Sequence, residues 1–191
     1  MNDFLETIKN FGKIDYDYYH FKKCPNNIKE ERKFTITGKG GNIITKTSKS
    51  AYTGTICEYE LDKSIEEHMW KIKILKTTKN YDNILIGVAN SDFDINSSSY
   101  DKNNNKGWYF ENGYGKLYSG PPHNYQTKST NLKYMKNEVT VIMNMKKGTL
   151  KFIIDGEDKG VSYENIPLDK PLFPSVLLYY LGDSLEICNL D

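Results

Sequence analysis

From Lys33 onward the apolar residues of this chain recur at every second position, and that period most restricts the fold. In HMWKIKIL, Trp70, Ile72 and Ile74 fall on one face, with Met69, Lys71 and Lys73 on the other. VTVIMNM sends Val139, Val141, Met143 and Met145 to one side, and TLKFIID does the same with Leu150, Phe152 and Ile154. Successive side chains of a strand point to opposite faces, so a period of two predicts β-strands with one face buried. ILIGVAN breaks the alternation with an almost continuous apolar run. A strand buried on both faces is the expectation there.

Turn chemistry separates these runs. FTITG and NIITKT form a hairpin around Gly38-Lys39-Gly40-Gly41, and Asp155-Gly156 is the pair expected of a tight two-residue hairpin turn. LFPSVLLYYL and SLEICNL supply a last pair of apolar strands, joined near Gly182-Asp183. Strands of this length with almost no helix predict an all-β protein, a two-layer antiparallel β-sandwich. One helix is expected, over Asn2 to Phe11, where Phe4, Leu5, Ile8 and Phe11 share a face and Asp3 with Glu6 resembles a capping box. Residues 1–32 are therefore assigned to an N-terminal helix and lead-in segment packed on the domain, and residues 33–191 to the sandwich. A chain of 191 residues suits one domain. Its longest structureless stretch, Ser91 to Lys106, has a length that in compact domains often carries function.

Composition excludes several function classes. The formal net charge is +1, and Arg32 is the sole arginine among 26 basic residues, which leaves little for bidentate reading of phosphate or guanine. Of the lysines of KIKILKTTK, Lys71 and Lys73 face solvent at a strand's period, and no nucleic-acid partner is expected. Cys24, Cys57 and Cys188 are an odd number outside any metal-type spacing, which suits free thiols in a reducing compartment. No signal peptide and no apolar run near the ~20 residues of a membrane span is visible, so the expectation is a cytoplasmic protein without a membrane partner. His20, His68 and His123 are far apart, and neither a nucleophile elbow nor a phosphate loop is present, so no catalytic residue is assigned. Asp92, Asp94, Asn96 and Ser98 alternate like calcium ligands. Ser97 and Asn103, however, stand where such a loop needs glycine and a bidentate glutamate. No metal or other cofactor is expected.

The order of the blocks resembles the SPRY domain of the PRY-SPRY family. The resemblance is carried by HMWKIKIL, then ILIGVA, the hairpin GWYFENGYGKLYSG, the block GTLKFIIDGEDKGVSY and a closing LFPSVLL. It runs from about Thr35 to Ile187. It implies a concanavalin-like sandwich of two bent sheets, no catalytic centre, and protein recognition through loops at one end. In such a domain the hairpin's Trp108, Phe110 and Leu117 are interior framework, with Tyr109, Tyr114 and Tyr118 left open between interior and surface.

Carried over position by position, the family's peptide-contacting loops fall on Ala51-Tyr52-Thr53, on Tyr100, and on Tyr180-Leu181-Gly182. The partner-binding candidates are thus Tyr52, Thr53, Tyr100, Tyr180, Leu181 and Gly182. An arginine that many relatives place near Tyr52 is absent, so a ligand that needs a guanidinium is not carried over. The function implied is capture of a short peptide segment of a partner protein, as a substrate-recognition adaptor of a ubiquitin ligase or in another complex. A monomer is favoured. The rival readings are a lectin-like carbohydrate binder, kept alive by 15 tyrosines, and a structural subunit of a larger assembly.

Overall fold

A computed structural model describes residues 19, 21, 34–49, 52–78, 84–94, 106–113, 115–119 and 138–188. The helix expected over Asn2 to Phe11 lies outside them. The described residues form two antiparallel sheets. One has seven strands in the order β1-β2-β12-β4-β8-β9-β10. These are β1 (Phe34–Thr37), β2 (Ile43–Lys46), β12 (Ser184–Cys188), β4 (Glu67–Lys76), β8 (Glu138–Asn144), β9 (Thr149–Ile154) and β10 (Glu157–Tyr163). The other has five, in the order β3-β11-β5-β6-β7. Its members are β3 (Thr53–Ile56), β11 (Leu172–Leu178), β5 (Ile84–Asn90), β6 (Gly107–Glu111) and β7 (Lys116–Ser119).

The alternation legible in the sequence becomes the interior. Trp70, Ile72, Val139, Val141, Met143, Leu150, Phe152 and Leu185 point inward from the larger sheet. They meet Ile84, Ile86, Val88, Phe110, Leu117, Val176 and Leu178 from the smaller one. Phe110 and Phe152 lock the layers together with ring centroids 5.6 Å apart. The hairpin rings Trp108 and Phe110 are core-facing as expected, Phe110 fully and Trp108 in part. β1 and β2 pair through Phe34↔Lys46 to Thr37↔Ile43, and the Asp155-Gly156 turn joins β9 to β10 with both residues at positive φ. LFPSVLL and SLEIC are joined at Gly182-Asp183 but do not pair with each other. They belong to opposite sheets, so their connection crosses between the layers.

β5 is buried at every position. Its outer face, with Leu85 and Ala89, is covered by a second apolar cluster of Ile56, Phe93, Tyr109 and Leu177. Tyr109 is the largest ring of that cluster. Its hydroxyl lies 3.0 Å from Ser175 Oγ, which in turn donates to the Thr55 carbonyl at 3.1 Å. The Tyr109 carbonyl accepts from the Tyr163 hydroxyl at 2.7 Å. Alternation alone left this ring open between the two faces, and it is covered on the far one.

The glycine of ILIGVA has a steric cause. A Cβ on Gly87 would stand 1.9 Å from the Trp108 carbonyl oxygen of the neighbouring strand. Gly87→Ala is therefore expected to separate β5 from β6 and to destabilise by at least the ~3 kcal/mol at the upper end of core overpacking, measured by urea denaturation. A variant as stable as wild type contradicts this account of the motif.

Candidate functional site

Register decides which loops are neighbours. Leu178 pairs with both Thr53 and Ile84, and Leu85 with Leu177 and Glu111, so these positions stand in two adjacent rows at one end of the smaller sheet. The 47–52, 77–83, 112–115 and 179–183 connections all leave from that end. Tyr52 and the Tyr180-Leu181-Gly182 turn are thereby brought together, as expected.

The contact between them runs through Tyr179. Its ring lies 4.9 Å from that of Tyr52 at 67°, and 4.8 Å from that of Tyr180 at 81°. Edge-to-face pairs of this kind let the positive ring edge meet the negative face. All three tyrosines are half-buried, and Leu181 at the tip of the turn is 45 % exposed. Beneath Tyr52 lies Glu111, only 2 % exposed. Both its carboxylate oxygens accept from phenols, Oε2 from Tyr118 at 3.1 Å and Oε1 from Tyr52 at 3.5 Å. Burial raises the Glu111 pKa above the usual carboxylate value, against the opposing bond from Tyr118, the charge of Lys116 and the bond from Tyr52. Burial, and then the Glu111 charge, likewise hold the Tyr52 phenol protonated.

The turn is fastened from inside. Asp183 is completely buried. Its Oδ2 accepts from the Tyr180 N–H at 2.8 Å, and its Oδ1 from the Thr78 N–H at 3.1 Å and hydroxyl at 3.0 Å. The Gly182 N–H donates to the Lys46 carbonyl and the Lys46 N–H to the Asp183 carbonyl, each at 2.9 Å. Gly182 takes φ 90°, a conformation that side chains oppose, and so permits the reversal. Thr53 is 1 % exposed, and its hydroxyl accepts from Lys46 Nζ at 2.7 Å. It supports the rim from below and offers no surface of its own.

Tyr100 lies outside the described residues. Its loop leaves β5 at Asn90 and rejoins at Lys106, at the opposite end of the sheet from Tyr52, since Asn90 pairs with Leu172. The start of that loop turns back over the outer face, where the Phe93 ring lies 6.4 Å from that of Tyr109. Gly54 makes room for it, because a Cβ there would stand 2.9 Å from Phe93 Cζ. Tyr179 and Glu111 are not singled out by the sequence, and Tyr118 is marked there only as open between interior and surface. Parity was the available signal: residues 177 and 179, and 109 and 111, share the outward face.

Other chemistry is sparse. Among the described residues no three His, Cys, Asp or Glu gather as metal ligands, and no helix is long and apolar enough to cross a membrane. His68 is buried, with Nε2 2.9 Å from the Asp62 carbonyl and Nδ1 3.3 Å from the Tyr19 hydroxyl. Burial lowers its pKa, and it serves as a satisfied core group.

Two outcomes follow from this geometry. Asp183→Ala strands the Tyr180 and Thr78 amides. It should cost about 1–3 kcal/mol and speed hydrogen exchange at Tyr180 and Thr78. For Glu111, a raised native pKa means that the folded state holds the proton more tightly. The associated stability is complete below the ordinary value of 4.5 and is lost as pH rises through the native value. Glu111→Gln should therefore gain stability relative to wild type as pH rises from about 4 to about 8 in denaturation series. A constant difference across that range contradicts the assignment.

The sequence profile of the SPRY domain matches residues 67–189. Among solved structures, the SPRY domain of human HERC1 aligns with a TM-score of 0.67 at 18% identity, over 83% of this chain and 96% of that one. The TRIM65 PSpry domain also gives 0.67, at 10% identity over 100% of both chains. A further human SPRY domain gives 0.63 at 15% identity, over 83% of this chain and 98% of that one. A search of curated protein sequences gave no match. At these identities the structural likeness speaks for the fold, and SPRY domains are generally protein-interaction modules. With the two-sheet architecture and the profile match over most of the chain in agreement, the protein belongs to the SPRY domain family.

Proposed function

We propose that this chain is a non-catalytic recognition module that captures a short peptide segment of a partner protein on the rim formed by Tyr52, Tyr179, Tyr180 and Leu181. One observation carries the reading. Three half-buried tyrosine rings stand edge to face beside an exposed leucine, at an end of the sandwich held by a buried hydrogen-bonded carboxylate. Tyrosine is favoured in binding hot spots because it buries a large area while keeping a polar tip, and rim rings fixed in advance lose little freedom on binding. Gly182 shapes the turn, and Thr53 holds the base. Tyr100 belongs to the proposal through its loop, whose first residues lie over the same outer face. The free thiols Cys57 and Cys188 support a reducing, cytoplasmic setting. As an adaptor, the module would present its partner to a ubiquitin ligase or another complex, with catalysis supplied elsewhere.

Affinity purification with the wild-type chain identifies the partner, and the variants decide the site. Tyr52→Ala and Tyr180→Ala should each weaken capture about 30-fold, the scale of a hot-spot loss, with far-UV circular dichroism unchanged. Tyr100→Ala tests whether the long loop takes part. Undiminished recovery by folded Tyr52→Ala and Tyr180→Ala proteins overturns the rim. Glycan-array hits in place of a protein partner replace the peptide reading with a lectin.

A further inference from the structure

We infer that the rim selects a positively charged side chain, lysine or arginine, in the peptide it captures. The inference rests on the peptide-binding reading above and deepens it. Its basis is the placing of a buried carboxylate directly behind an aromatic surface. Tyr52, Tyr179 and Tyr180 pack edge to face at 67° and 81° and are half-buried, so each ring keeps part of its surface toward solvent. The face of a tyrosine ring carries negative potential and attracts cations.

Glu111 strengthens that preference without touching the ligand. At 2 % exposure, its charge acts through protein and not through water, so screening is weak. The Tyr52 hydroxyl donates to Oε1, and a phenol that donates to a carboxylate shifts electron density into its ring, which deepens the attraction for a cation. Lys116, directly across the β6–β7 pair, is the cation whose charge reaches Glu111. Both carboxylate oxygens of Glu111 accept from phenols, Oε1 from Tyr52 and Oε2 from Tyr118. An anionic ligand side chain meets repulsion at the same place, which is how a single buried charge sets specificity. Glu111 is thus a positioning and specificity-determining residue acting through Tyr52.

The test uses a library of synthetic peptides varied one position at a time, selected on the wild-type chain, on Glu111→Gln and on a Tyr52→Ala/Tyr180→Ala double variant. Wild type is expected to enrich peptides with lysine or arginine at one fixed position. Replacing that residue by glutamine or norleucine should weaken binding about tenfold, and by glutamate more. Glu111→Gln should still select peptides through the rim but narrow the tenfold gap to about threefold or less. Rim-dependent peptides without a basic position, or a Glu111→Gln protein that keeps the whole preference, overturn the charge selection and leave the peptide site standing. Failure to enrich any peptide that the double variant loses overturns both. The charge series on wild type needs no variant, so it decides the matter even if Glu111→Gln does not fold.

Discussion

The smaller sheet is covered on both sides, and most of the molecule depends on that. Its inner face is closed by the larger sheet through contacts such as Phe110 on Phe152. On its outer face Leu85, Ala89, Tyr109 and Leu177 are buried as well, with Phe93 of the following loop packed among them. A sheet with one wet face can twist and breathe, whereas one packed on both sides has few alternative arrangements. The bare backbone at Gly87 belongs to the same constraint, since β5 and β6 approach where no side chain fits. So does the Tyr109–Ser175–Thr55 chain of hydroxyls, which satisfies polar groups that would otherwise be stranded under the outer cluster.

The rim inherits its order from this packing. Tyr52 continues the outward face of β3 and Tyr179 that of β11, so both rings stand where the sheet places them. Only Tyr180 and Leu181 sit on the turn proper, and there Asp183, Gly182 and Lys46 substitute hydrogen bonds for sheet pairing. An interaction surface built this way combines a large aromatic area with little freedom to lose. That combination supports recognition by preformed shape.

Strand parity and turn chemistry were legible because they are local. Trp70, Ile72, Val141 and Phe152 fell on the inner face by counting alone, and Asp155-Gly156 announced its turn. The order of the blocks along the chain carries the family resemblance by itself. Less could be seen where partners come from distant parts of the chain. Nothing near Glu111 in sequence predicts that Tyr52, 59 positions away, donates to it. Asp183 looked like a turn residue, and its bond to Thr78 depends on the pairing of β12 with β4, strands far apart in the chain. Thr53 counted as a contact by position, yet its hydroxyl faces a buried lysine. Tyr179 went unmarked because two adjacent tyrosines carry no indication of which one bridges a neighbouring loop.

The turn that carries Tyr180 and Leu181 is also the crossing from one sheet to the other. β11 ends the smaller layer on one side of it, and β12 starts in the larger layer on the other. The turn is therefore anchored to both layers, through β11 on one side and through β12 and Lys46 of β2 on the other. Substitutions remote from any ligand, such as at Val176 in one layer or Leu185 in the other, would reach the rim along the chain itself. The proposed recognition surface and the core are thus joined through the backbone, and variation in one is transmitted to the other.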